Sequence, residues 1–370
     1  MPLLSPKQAS ARNEDEIAEA VNFVAFRVPA KPVFPLHPHR SRGSGKQLPL
    51  LRKPKEGDLD MTEFRDVYSR ITSKIVADLE RGVRPWMRPW SAEHAAGRIT
   101  RPLRHNGVPY KGINVVMLWS ASVVKGYACP LWLTFKQALE LGGNVRKGEH
   151  GELVVYANRI ARTETNEAGE ETEREIPFLK GYTVFNAEQC EGLPAHYSAK
   201  AEPPALPPAA RIERADRFFA ATGIDIRHGG TRAYYAEGPD YVQMPPFETF
   251  RDAESHAATL AHELTHATKH EKRLARDMGR IRWGDEGYAK EELVAELGSA
   301  FFCADLEITP EIREDHAAYI GHWLKALQDD KRLIFTAAAH AQRAADYLHS
   351  LQPAVQSGRQ SEPVEERAAA

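Results

Sequence analysis

Apolar positions recur with a helical period over several long stretches of the chain and alternate in only a few short ones. From Thr62 to Gly82, Phe64, Val67, Ile71, Ile75 and Leu79 return at spacings of three and four, which predicts an amphipathic helix ended by the glycine. Residues 113–126 (INVVMLWSASVVKG), 132–142 (WLTFKQALELG) and 211–222 predict further helices. The runs GELVVYANRI and IPFLKGYTVFN predict the two strands of a hairpin, with a polar, acidic loop from Glu164 to Glu175 between them. Ala233–Met244 suggests one or two strands around Tyr234, Tyr235, Tyr241 and Val242, and Asp252–Gln352 is mostly helical in pattern.

The pattern divides the chain. Residues 1–60 hold a short candidate helix, Glu14–Ala25, and a Pro- and Arg-rich stretch, Pro29–Lys55, with too few apolar positions to bury a core. They are expected to form a disordered extension, and Met61, which precedes the first well-patterned segment, is a candidate natural start. Residues 61–198 then form an α+β domain. Residues 199–210 (AKAEPPALPPAA) read as an Ala/Pro linker. Residues 211–352 form a second, mostly helical domain, and 353–370 a polar, disordered tail. The expected fold class is α+β.

Composition narrows the setting. No apolar run approaches the ~20 residues that span a bilayer, and no basic and apolar leader opens the chain, so neither a membrane partner nor secretion is expected. The three cysteines, Cys129, Cys190 and Cys303, have no paired spacing, which fits a reducing cytoplasm. The formal net charge of −2 means that affinity for nucleic acid must come from local clusters of charge.

One such constellation concerns a metal. His262-Glu263-Leu264-Thr265-His266 matches H-E-x-x-H, and a spacing of four puts both imidazoles on one helix face, aimed at a common point. Two neutral ring nitrogens suit Zn²⁺, and Glu263 is the candidate catalytic base toward a water there. The apolar neighbours Ala257, Ala258, Leu260, Ala261, Leu264 and Ala267 place this polar trio against a core, where an unpaired Glu263 would be costly. A later segment, YAKEELVAELGSAFFCA, sets Glu292 and Glu296 one turn apart. Zincins of the gluzincin type often use such a pair, the first acid on the metal and the second behind a ligand histidine. Glu292 is the expected third ligand and Glu296 its support, with Glu296 or Glu291 as the alternative ligand. The plainer alternative makes Glu291 and Glu292 solvated first-turn acids that complement the helix dipole.

A second constellation concerns nucleic acid. Between Arg81 and Lys111 seven basic residues face one acid, Glu93, with Trp86, Trp90 and Tyr110 interleaved. Basic side chains along phosphates with aromatic faces for bases describe a single-strand binder. The candidates are Arg84, Trp86, Arg88, Trp90, Arg104, Tyr110 and Lys111, joined by Arg146 and Lys147. The alternative is that the tryptophans are core residues and the arginines solvated.

These residues carry a family resemblance. IVADLERGVRPWMRPW, GVPYKGINVVMLW, GYACPLWLTFKQALELGGNVRKGEHGELVVY and LKGYTVFNAEQCEGL come first. AYYAEGPDYVQMPPFETF, ATLAHELTHATKHEKRL and EELVAELGSAFFCADL follow. The chain resembles ArdC-type antirestriction proteins of conjugative plasmids, and the N-terminal part of TraC-type primases, from about Met61 to Leu351. The resemblance implies a single-stranded-DNA-binding N-terminal domain, a zincin-like metallopeptidase C-terminal domain, and protection of incoming plasmid DNA from host restriction. It also implies His262 and His266 as metal ligands, Glu263 as catalytic acid/base and Glu292 as third ligand. Three functions follow for comparison: proteolysis of a host protein by a DNA-bound enzyme, DNA coating with a structural metal, and an accessory role in plasmid priming. No acidic polymerase-like triad supports the last.

Overall fold

The computed structural model describes residues 56–84, 86, 100–165, 171–197, 207–278, 286–309 and 316–353. All of them belong to one compact unit that begins at Pro54. The predicted helix 14–25, the Ala/Pro linker up to residue 206 and the polar tail from 354 lie outside the described residues.

The first helix, α1, runs Glu56–Glu80, six residues further toward the N-terminus than the apolar period predicts and across Met61. Val67, Ile71, Ile75 and Leu79 form its buried stripe. Gly82, at φ +73°, stops it by adopting a left-handed conformation open to glycine. A short strand β1, Leu103–Arg104, leads to α2, Ile113–Lys125, whose residues from Val115 to Ser122 are all buried. Being apolar around most of its circumference, α2 becomes an interior helix.

The stretch 132–142 is not one helix. Leu131–Leu133 is strand β2, and Thr134 then caps a short helix α3, Phe135–Glu140. The Thr134 and Gln137 side chains each accept a backbone N–H of the other residue, and this capping box fixes the helix start after the strand. After β3, Asn144–Val145, the hairpin strands are β4, Glu152–Thr165, and β5, Glu171–Asn186. Residues expected in the loop pair instead, with Thr163 opposite Glu173 and Thr165 opposite Glu171. A ladder satisfies backbone groups whatever side chains they carry, so polar composition hid its outer half. Sheet order is β1-β2-β5-β4, and β3 pairs with β6, Cys190–Glu191.

After helix α4, Pro208–Ala220, come β7, Asp225–His228, β8, Tyr234–Ala236, and β9, Tyr241–Met244. Their order is β7-β9-β8, with β7 parallel and β8 antiparallel to β9. The polar run of β7 gave no alternating signal. Four helices close the unit: α5, Ala253–Ala267; α6, Glu286–Leu306; α7, His316–Asp329; and α8, Leu333–Ser350. Among the described residues, no helix is long and apolar enough to cross a membrane.

Segments 61–198 and 211–352 share one hydrophobic core. Trp86 meets Trp323 edge to face at 6.3 Å, and Trp119 packs on Phe301 at 5.8 Å. Arg101 donates to both carboxylate oxygens of Asp305 at 2.8 and 2.9 Å and lies 4.2 Å above the Phe301 ring. Thr72 Oγ1 donates to the Lys331 carbonyl at 2.6 Å.

The Asp305 contact has a pH signature. Burial raises the Asp305 carboxyl, but His349 and Arg101 outweigh it and hold it below the usual aspartate value. A carboxylate favoured in the folded state stabilises fully above the unfolded value of about 3.9, and that contribution is lost as pH falls through the lower folded value. Thermal melts should therefore show stability falling below about pH 4, with a shallower fall in Asp305→Asn. Equal slopes in the two proteins would assign the acid loss to other groups.

Candidate metal centre

Helix α5 starts where Asp252 accepts the Ser255 N–H at 2.7 Å, a side-chain cap for an exposed helix donor. From that start the helical period sends His262, Glu263 and His266 into the interior, at 3%, 3% and 8% exposure. Helix α6 crosses α5 and brings Glu291, Glu292 and Glu296 to the same interior, at 2%, 8% and 2% exposure. The crossing is close at Gly298, where a β-carbon would lie 2.5 Å from Thr265 Cγ2 and 2.6 Å from its Oγ1. Ser299 Oγ ties the helices further by donating to the Ala258 carbonyl at 2.8 Å.

Three donor groups converge there. His262 Nε2 and His266 Nε2 are 3.2 Å apart, and the Glu292 oxygens stand 3.5 Å from the first and 3.4 Å from the second. Ligand atoms of this trio all lie within 4.8 Å of one another, the one such group among the described residues. Two imidazoles and a carboxylate suit a divalent cation.

The electrostatics also call for positive charge. Burial opposes a charged His266, but Glu292 and Glu291 outweigh it and lift the imidazole to about 10. Burial likewise opposes a charged Glu292, yet the two histidines hold it well below the usual carboxylate range.

Of the residues singled out in the sequence, His262, His266 and Glu292 come together, and Glu263 is buried on the same helix. Glu296, expected behind a ligand histidine, is buried one turn further along α6. The carboxylate at His266 Nδ1 is that of Glu291, at 3.2 Å. Glu291 is thus not a solvated first-turn acid. Burial raises its carboxyl, and hydrogen bonds from Arg276 and His266 reverse this and bring it to about 2. Neither Glu291 in this role nor Arg276 was legible, because Arg276 reaches the site through a turn with no periodic signal. Tyr235 donates its hydroxyl to Asp240 at 2.8 Å, and the Tyr234 and Tyr241 hydroxyls face each other at 3.4 Å.

The nucleic-acid candidates separate by exposure. Trp86 is fully buried and offers no face to a base, which corrects its place among the contact residues. Tyr110 is buried too, with Arg104 5.5 Å above its ring. Arg104 and Lys147 are exposed, Lys111 pairs with Asp346 at 3.2 Å, and Arg146 pairs with Glu149 at 2.9 Å. Arg84 is partly buried, with Nη1 inside. Arg88 and Trp90 lie outside the described residues.

Residues 213–340, which carry the donor trio, match a family described as a zincin-like metallopeptidase. Residues 65–185 match the N-terminal domain of the anti-restriction factor ArdC. The chain is 47% identical to the antirestriction protein ArdC of plasmid R388, over 77% of this chain and 97% of that one. The TM-score is 0.64 to its metal-free crystal structure and 0.63 to its Mn(II)-bound one. It is 45% identical to the protein y4eC of Sinorhizobium fredii, over 78% of this chain and 92% of that protein. A DNA primase TraC of Escherichia coli is 36% identical over 76% of this chain, which spans only 27% of the primase. The chain belongs to the ArdC-type antirestriction proteins.

The crossing at Gly298 gives a test with an unambiguous sign. On helix propensity alone, Gly298→Ala would stabilise by about 1 kcal/mol. Overlap with Thr265 instead predicts a loss of about 1–3 kcal/mol from overpacking, with weaker metal uptake as α5 and α6 are pushed apart. Thermal melts and a chelator-competition titration decide. A more stable variant with unchanged uptake would show that the crossing does not set the site.

Proposed function

We propose that this chain binds single-stranded DNA of a mobile element and hydrolyses peptide bonds at a zinc centre, protecting incoming DNA from host restriction in the cytoplasm. The observation that carries the hydrolytic half is the triangle formed by His262, His266 and Glu292, with Glu263 buried next to a ligand. A donor set of two imidazoles and one carboxylate favours zinc among divalent cations. When bound, the cation polarises the scissile carbonyl and makes water acidic enough to attack near neutral pH.

His262, His266 and Glu292 would hold the cation as its three protein ligands. Glu263 takes a proton from the attacking water and delivers it to the amide nitrogen as the carbon–nitrogen bond breaks, so a carboxylate and an amine leave. The substrate class is a host protein. The competing reading, a structural metal with DNA coating alone, gives Glu263 no task.

Glu263→Gln separates the two. It should retain zinc and single-strand affinity, lose peptidase activity by several orders of magnitude, and lose protection in conjugation assays. Protection at the wild-type level would defeat the proteolytic half.

DNA binding is supported by the exposed cations Arg104, Lys111, Arg146 and Lys147 within the matched N-terminal region, and by the primase relatives. Replacing Arg104, Arg146 and Lys147 together with alanine should weaken single-strand binding. It should also lower the slope of log affinity against log salt by about 0.7 for each phosphate no longer neutralised. A slope equal to wild type would move the DNA path elsewhere.

A further inference from the structure

The same imidazole is gripped at both nitrogens by neighbouring residues of one helix. Glu292 Oε1 stands 3.4 Å from His266 Nε2, and Glu291 Oε1 stands 3.2 Å from His266 Nδ1. Successive helix positions diverge by about 100°, which lets adjacent glutamates reach opposite edges of one ring.

Glu291 is itself held. Arg276 Nε donates to its Oε2 at 2.9 Å and Arg276 Nη2 to its Oε1 at 2.6 Å, a two-pronged contact. Both side chains are buried, at 1% and 2% exposure. The remaining Arg276 donors are also directed: Nη2 to the Thr265 carbonyl at 3.0 Å and Nη1 to Thr268 Oγ1 at 2.9 Å. Those two acceptors belong to the C-terminal turn of α5. Arg276 thus ties the end of the histidine-bearing helix to the carboxylate behind its second histidine.

We infer that Arg276 and Glu291 are positioning residues of the metal centre. Glu291 accepts the Nδ1–H of His266, which fixes the ring tautomer and its rotation so that the Nε2 lone pair faces the cation. Arg276 fixes Glu291 against rotation and balances its charge. The role rests on the metal-centre reading proposed above and adds to it two residues that touch neither cation nor substrate.

Removing one partner of a buried ion pair strands the other charge. The test therefore replaces both, in Arg276→Met with Glu291→Gln, which leaves an uncharged acceptor near Nδ1. On the full chain, Zn²⁺ affinity is read by competition with a chromophoric chelator, the metal-free thermal midpoint by melting, and the His266 Nδ1–H resonance of the zinc-loaded protein by NMR. Expected are a folded protein, zinc held about 10–100-fold more weakly, and an upfield shift of that resonance as the charged acceptor is replaced. A folded double variant with wild-type zinc affinity and an unmoved resonance overturns the inference. If the double variant does not fold, Glu291→Asp keeps an acid for Arg276 but withdraws it from Nδ1. Weakened zinc binding in that variant supports the brace, and wild-type affinity overturns it. A wild-type chain that takes up no zinc would instead sink the metal-centre reading.

Discussion

The crossing of α5 and α6 is the constraint on which the centre depends. Two helices normally stand 8–10 Å apart, at a distance set by the side chains between them. Here Gly298 contributes none, and Thr265 fills the space a β-carbon would take. Thr265 turns its hydroxyl back to the Ala261 carbonyl at 2.8 Å, so its polar atom is satisfied inside the contact. Closeness at this point brings glutamates of one helix within reach of histidines on the other. A glycine inside a helix costs about 1 kcal/mol against alanine, and here that cost maintains the geometry of the donor set.

The same proximity concentrates charge. Four buried glutamates, Glu263, Glu291, Glu292 and Glu296, come from two helices, and Arg276 is fixed on one of them. Carboxylates taken out of water are costly unless cations or hydrogen bonds meet them. His262 and His266 stand against Glu292, and Arg276 against Glu291, so these carboxylates are met by nitrogen donors.

Much of this was legible in sequence, and the failures have physical causes. The H-E-x-x-H period and the Glu292 partner could be read because helical spacing turns sequence distance into direction. α2 was equally plain, since its apolar character runs round the helix. Trp132 and Leu133 were misread because apolar residues before a capping box look like the first turn of a helix. The outer hairpin was missed because its polar side chains say nothing about backbone pairing. Trp86 looked like a base-stacking residue beside arginines, yet it fills the core against Trp323. Arg101 of the same basic stretch is spent on Asp305. Charge and aromaticity in a segment do not distinguish a surface from a joint between segments. Glu291 and Arg276 were hidden for the same kind of reason, because their meaning lies in a contact between a turn and a helix.

That joint has an evolutionary consequence. Apolar side chains of one half pack on those of the other, Trp86 on Trp323 and Trp119 on Phe301, all of them buried. A gene fusion that moved one half alone would carry an uncovered face into its new host. The TraC relatives fit this expectation. They align with 297 and 306 residues, lengths that neither family region alone supplies, although the aligned part is a small fraction of each primase. In these relatives the aligned stretch is longer than either region alone, both in a chain of similar length and within a far longer polypeptide.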